Sequence, residues 1–234
     1  MSYRYTENVN YENFSGGRVI YHNPGFTNFP VRLACEIFLR CLARFNKTKV
    51  SIYDPCCGGG YLLTVLGLLH GDRIDHLYGS DVSPKAISLA KKNLRLLSVK
   101  GLFHRRNELE TLYQSYKKDS HAQAVESAER LLKLVGVDGI GFNVFDRDIL
   151  AGKVDYPQVD VIIVDVPYGG LVGWSSVESV AINTMLDNVW ENLNPDGIVA
   201  VSSDKGQKIN NPAYMRVEKF QIGKRKIEIM VKKS

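Results

Sequence analysis

Residues 50–70 read VSIYDPCCGGGYLLTVLGLLH. Val50 to Tyr53 has the β-branched and aromatic make-up of a short strand, Asp54 to Gly60 is a glycine-rich turn, and Tyr61 to His70 resumes as an apolar helix. Strand, glycine turn and helix form the opening unit of a nucleotide-binding α/β fold, because glycine lets the backbone approach a ligand closely. The unit alone does not decide between ligands, since folds that bind NAD use a similar Gly-x-Gly device.

The same alternation continues outward. His76 to Ser80 is a second strand ending at Asp81, after which Ser83 caps a helix with Pro84 at its first position and Ala86, Ile87, Ala90, Leu94 and Leu97 on its buried stripe. Phe142 to Phe145 leads as a third strand to Asp148, and Val159 to Val164 is a fourth, apolar throughout as a strand covered on both faces should be. A helix over Val180 to Asn192, the turn Pro195-Asp196-Gly197 and a fifth strand over Ile198 to Ser202 follow. Upstream, residues 30–44 read as a helix with Leu33, Ile37 and Leu42 on its apolar side. Repeated strand–helix units imply a mostly parallel sheet with right-handed crossovers.

Two stretches depart from the alternation. Residues 104–136 have helical spacing in two parts, Leu109, Leu112, Tyr113 and Tyr116 forming one stripe and Ala124, Ala128, Leu131, Leu132 and Val135 another, with Ser120 to Gln123 as a capping box between them. They read as a helical insertion in a single domain spanning 1–234, with residues 1–29 as an N-terminal extension. At the far end Ile227, Ile229 and Val231 alternate with Lys226, Glu228 and Met230, the pattern of a β hairpin.

Composition narrows the class. With 44% hydrophobic and 24% charged residues the chain is an ordinary globular protein. The first residues carry no apolar core of a signal peptide, and the apolar runs near Leu62 to Leu69 and Val159 to Val166 are too short to span a bilayer, so a cytoplasmic protein is expected. Cys35, Cys41, Cys56 and Cys57 contain no CxxC pair, and no metal site is expected. Residues 205–234 hold nine Lys or Arg against two Glu, on a chain whose total charge is only +5. A basic segment of this kind suits a polyanion, and Lys205, Lys208, Lys224, Arg225 and Lys226 are the candidate phosphate contacts.

Asp54, Asp81 and Asp148 each follow a parallel strand, and ligands of open α/β sheets bind beyond the carboxyl ends of the strands. A carboxylate at Asp81 can accept the hydroxyl protons of a ribose, and one at Asp148 can accept from an adenine amino group. The fourth strand ends in DVPYG, Asp165 to Gly169, which resembles the Asp-Pro-Pro-Tyr or Asn-Pro-Pro-Tyr element of amino-directed nucleic-acid methyltransferases, with Val166 in place of the first proline. In that element the acidic side chain accepts from the target nitrogen and the aromatic ring stacks on an extruded base. Cys56 follows a proline, as the nucleophile of C5-pyrimidine methyltransferases does, but it lies in the first-strand turn, on the cofactor side.

Over most of its length the chain resembles the AviRa-type avilamycin-resistance methyltransferases of 23S ribosomal RNA. The resemblance rests on NPGFTNFPVRLACEIF (23–38), YDPCCGGGYLLTVLGLLH (53–70), SDVSPKAISLAKKNL (80–94), DVPYG (165–169) and IGKRKIEIMV (222–231). It implies a Rossmann-like class I methyltransferase: a mostly parallel seven-stranded sheet with an antiparallel C-terminal strand and helices on both faces. It further implies S-adenosyl-L-methionine as cofactor, 23S rRNA or the large ribosomal subunit as partner, a monomer, and methylation of a guanine base that hinders orthosomycins. By position, Asp54, Pro55, Cys56, Cys57, Gly58, Gly60, Asp81, Val82, Asp148 and Ile149 would hold the cofactor, and Asp165, Pro167 and Tyr168 would serve catalysis. Two rivals stand beside this reading. A ribose 2'-O-methyltransferase would use a Lys-Asp-Lys-Glu set, of which Asp165, Lys205 and Glu228 supply three members; a non-catalytic RNA-binding protein would need only the basic tail.

Overall fold

The computed structural model describes residues 3–26, 28–153, 155–166 and 178–233. Their strands are β1 (Val50–Asp54), β2 (Ile74–Asp81), β3 (Gly141–Asp146), β4 (Val159–Asp165), β5 (Leu193–Asp204), β6 (Tyr214–Ile222) and β7 (Arg225–Lys232), joined in one seven-stranded sheet of order β3-β2-β1-β4-β5-β7-β6. β1 to β5 pair in parallel, and β7 runs antiparallel between β5 and β6. Strand order reverses between β1 and β4, so the crevice that such sheets offer to a ligand opens where Asp54 and Asp165 end their strands.

The helices are α1 (Val31–Leu42), α2 (Tyr61–His70), α3 (Pro84–Leu94), α4 (Val99–Tyr116), α5 (Asp119–Leu132) and α6 (Glu178–Asn188). Successive side chains of a strand point to opposite faces. Accordingly Val161 and Ile163 of β4 join a core with the apolar sides of α1 to α5, while Ile162 and Val164 join a second core with Ile182, Met185 and Leu186 of α6. Ser83 caps α3 as its sequence suggests, its hydroxyl accepting from the Ala86 N–H at 3.4 Å, with Pro84 in the first position. Among the described residues no helix is long and apolar enough to cross a membrane.

The helical pair differs from the sequence expectation in three respects. α4 begins at Val99, ahead of residue 104, and its buried positions are Leu102, Arg105 and Leu109; Leu112 and Tyr116 are exposed because the last turns run past the core. The capping box at Ser120 does not form. Lys117 adopts a left-handed conformation (φ 49°) that reverses the chain early, and α5 starts at Asp119 with Lys118 in the cap position, so Ser120 falls inside the helix. β5 also starts earlier than expected, at Leu193, because Leu193 pairs with Val159 across the sheet and draws Pro195 to Gly197 into the strand.

Arg105 on α4 reaches back to the N-terminal segment. Its guanidinium donates to the Val19 carbonyl at 2.9 Å and to Glu108 at 3.0 Å, and lies 4.1 Å over the Tyr21 ring. Asn93 of α3 exchanges bonds with the Tyr21 backbone at 2.8 and 3.0 Å and donates to the Gly59 carbonyl at 2.8 Å. The extension is thereby fixed against the glycine turn.

Candidate active site

Glycine is required in the turn after β1 for two reasons. Gly60 has φ 71°, which side-chain-bearing residues rarely adopt, and a Cβ there would stand 3.0 Å from Cα of Ala90, so α2 and α3 can approach only without it. Carboxylates fix the rest of the turn. Asp54 accepts the Cys56 N–H at 3.1 Å; Asp81 accepts the Gly58 N–H through one oxygen and the Ser83 N–H through the other, both at 2.9 Å. The Pro55 carbonyl is held by the Ser80 hydroxyl at 3.2 Å, and the Cys57 N–H by the Ser80 carbonyl at 2.9 Å.

Beyond the strand ends lies a cavity of about 490 Å³ whose wall includes Asp54, Cys56, Cys57, Gly58, Asp81, Val82, Asp165 and Val166. Its other side is formed by the N-terminal segment, with Tyr21, His22, Phe26, Asn28 and Phe29. Burial pushes the Asp54 carboxyl up to about 8, against the Cys56 N–H that favours its ionised form, and the charges of Asp165 and Asp81 push it further in the same direction. Burial likewise raises Asp165, whose charge is supported by Arg225 and by the Ser202 hydroxyl at 2.7 Å. The Cys56 and Cys57 thiols are held well above their ordinary value by burial and then by the neighbouring carboxylates, which makes both poor nucleophiles. Three carboxyl groups border the cavity, Asp165 paired with Arg225, and a cationic ligand would favour the ionised form of Asp54 that burial opposes.

The AviRa rRNA methyltransferase family model matches residues 1–225. The chain belongs to the AviRa family of rRNA methyltransferases. It is 36% identical to the 23S rRNA (guanine(2535)-N(1))-methyltransferase of Streptomyces viridochromogenes, covering 96% of this chain and 93% of that protein. The crystal structure of the S. viridochromogenes rRNA methyltransferase AviRa at 2.4 Å superposes with a TM-score of 0.87 at 34% identity, over 99% of this chain and 96% of that one. A ribosomal protein L11 methylase from Lactobacillus delbrueckii subsp. bulgaricus shares the fold alone, with a TM-score of 0.50 at 14% identity over 87% and 80% of the chains.

For an AviRa-family chain the placement of the sequence-derived residues is uneven. Asp148 and Ile149 stand outside the cavity wall. Asp148 is exposed and accepts the Leu150 N–H at 2.9 Å, near enough to Cys56 for its charge to act on that thiol, while Ile149 is buried in the α6 core. Pro167 and Tyr168 lie outside the described residues. Lys205, Lys208 and Lys224 are exposed. Lys226, read from the sequence as a phosphate contact, is buried instead; its ammonium is bonded to the Gln207 carbonyl and to Glu228 at 3.0 Å. Arg225 turns into the cavity and pairs with Asp165 at 3.3 Å. Glu228 is buried as well and accepts from Arg216 at 2.6 Å, so the Lys-Asp-Lys-Glu set of the ribose-directed rival does not assemble. The N-terminal wall was missed as a site element, although residues 23–38 carry one of the longest stretches of family resemblance.

Proposed function

We propose that this chain transfers a methyl group from S-adenosylmethionine to N1 of a guanine in 23S rRNA, the activity named for its Streptomyces relative, and so hinders orthosomycins of the avilamycin type. The observation that carries the reading is the convergence of three strand-end carboxylates, Asp54, Asp81 and Asp165, on one cavity at the point where strand order reverses. Incubating 23S rRNA with the protein and labelled cofactor, then mass-mapping the nucleosides, tests it. Label is expected on guanine N1; label on a ribose, or on another base, would sink the reading.

The residues present fit the cofactor. A nucleoside bearing a sulfonium and an ammonium is a cation, and the cavity offers it an acidic wall and a glycine turn closely approachable through Gly58. When bound, S-adenosylmethionine supplies a methyl group made electrophilic by its sulfonium. Asp81 would take the ribose hydroxyls on lone pairs that its two backbone bonds leave over, and Cys56 and Val82 would flank the adenosine. Asp81→Ala removes charge-assisted bonds worth roughly 1.5–3 kcal/mol and is expected to weaken cofactor binding about 10- to 100-fold in a calorimetric titration. Unchanged affinity would remove Asp81 from the site.

Asp165 would accept the N1 proton and orient the base, Tyr168 would stack on it, and Pro167 would line the same pocket. RNA would approach over the β5–β7–β6 side. There Lys205 and Lys219 rim a second, open hollow of about 340 Å³, which Lys226 also lines. Replacing Lys205, Lys208 and Lys224 together by alanine should weaken RNA binding and lower its log–log salt slope by up to about 2 to 3. Cofactor affinity should not change. A salt slope equal to that of the wild type would make these lysines an ordinary solvated surface.

A further inference from the structure

Arg225 occupies a place that a surface-binding basic residue would not. It is the first residue of β7 and lies opposite Asp204 of β5, while Asp165 lies opposite Ser202 two residues away. From there its side chain crosses the end of β5 into the cavity. Nε meets one oxygen of Asp165 and Nη2 the other, each at 3.3 Å, and the guanidinium lies 5.0 Å from the centre of the Phe29 ring. A carboxylate on one side and a phenyl ring on another fix its plane. Both contacts are longer than the roughly 2.7–2.9 Å of a tight charge-assisted bond. Asp165 takes its short bond, 2.7 Å, from Ser202. Both side chains are about one-fifth exposed, toward the cavity.

Resting on the function proposed above, we infer that Arg225 and Asp165 together read the edge of the target guanine, Asp165 accepting from N1–H and Arg225 donating to O6. Guanine presents a donor at N1 beside an acceptor at O6. Adenine presents the reverse, an acceptor at N1 beside a donor at N6. An acceptor and a donor fixed side by side on the protein therefore match guanine and set like against like for adenine, and leaving buried polar groups unpaired in this way discriminates strongly. A guanidinium carries five N–H donors in a planar fork, so one that holds a carboxylate can hold a base oxygen as well.

The pair also bears on the reaction. As the N1–H proton passes to Asp165, charge on the base is shared with O6, where Arg225 stabilises it. The freed N1 lone pair takes the methyl group, and the electrons of the broken C–S bond leave with sulfur. Asp54 from β1, Asp81 from β2, and His22 and Cys56 in the wall face the same cavity, and Arg225 from β7 is the group placed to favour negative charge on the base.

The test is single-turnover transfer to a 23S rRNA fragment at saturating cofactor, from pH 6.5 to 9, for the wild type, Arg225→Gln and Arg225→Lys. At pH 7 Arg225→Gln should be slower by about 10²- to 10³-fold, the usual effect of losing a donor to a developing oxyanion. Its rate should climb with pH as the base loses its own proton more readily, with S-adenosylhomocysteine affinity within about twofold of wild type, and Arg225→Lys should recover part of the rate. In RNA carrying single replacements at the target, inosine, which keeps N1–H and O6, should be methylated by the wild type, and adenosine should not. A wild-type rate in Arg225→Gln, a loss parallel at every pH and unrelieved by lysine, or equal use of adenosine would overturn the inference while leaving the proposed function standing. Absence of N1-methylguanosine from the wild-type reaction would bring down that function, and the inference with it.

Discussion

Glu36→Ala is expected to remove about 3–5 kcal/mol of stability, the usual result of taking one partner from a buried ion pair. Glu36 lies on α1 with no solvent exposure and accepts the backbone N–H groups of Arg4, Tyr5 and Thr6 at 2.7 to 3.0 Å. Arg40, one turn on and also buried, bonds Glu36 at 2.6 Å and Glu218 of β6, and Glu218 takes a further contact from Arg44 at 3.0 Å. One carboxylate thus ties the N-terminal segment to α1, and through Arg40 to the outermost strand. In Glu36→Ala three N–H groups lose their acceptor and Arg40 keeps only part of its compensation. For a domain with a total stability of roughly 5–15 kcal/mol the change is large. Urea unfolding would measure it, and early proteolytic cleavage before residue 9 should accompany it; a loss below about 1 kcal/mol would show that the network contributes little.

The same residue has a pH signature. Burial raises the Glu36 carboxyl, but the N–H groups of Arg4 and Tyr5 and the Arg40 guanidinium outweigh it and hold the group below its ordinary 4.5. A depressed carboxyl contributes stability that is complete above the unfolded value and lost as pH falls through the lower folded one. The wild type should therefore lose stability below about pH 4.5 more steeply than Glu36→Ala does.

Local chemistry made most of the sheet legible. The glycine turn, the Ser83 cap and the apolar run of β4 each state their conformation within a few residues. The misread segments are those decided by partners far along the chain. Leu193 is a strand residue because Val159 pairs with it, and the stripe of α4 is set by which of its turns meet the core. At the site, acidic residues at strand ends could be read because the carboxyl ends of parallel strands face one crevice. The N-terminal wall could not, since Arg105 and Asn93, more than 70 residues from Tyr21, hold it in place. The basic run Lys224-Arg225-Lys226 shows why charge in sequence is not charge on a surface. Consecutive strand side chains point opposite ways, so Arg225 enters the cavity and Lys226 the Gln207–Glu228 cluster, leaving Lys224 exposed in the turn.

Asp165→Ala separates binding from chemistry. If Asp165 accepts the target proton, the substitution should slow single-turnover methyl transfer to 23S rRNA by about 10²- to 10⁴-fold, the range for a lost general base or orienting group. Cofactor affinity should stay near the wild-type value, because Asp54 and Asp81, on β1 and β2, remain in the cavity wall. Folding should be little affected: Asp165 is the last residue of its strand, and the Val166 N–H bond to the Ser202 carbonyl at 3.0 Å, which closes the β4–β5 ladder there, is made by backbone alone. Asp165→Asn sharpens the test. It keeps an oxygen for the Ser202 hydroxyl and nearly the same shape, but has no charge to receive a proton, so it should be almost as slow as alanine if the carboxylate is the base. If Asp165 only positions the base through a hydrogen bond, asparagine should retain most of the rate. Wild-type transfer by Asp165→Ala would exclude the end of β4 as the catalytic element and leave the acidic cavity as a cofactor site whose base lies elsewhere.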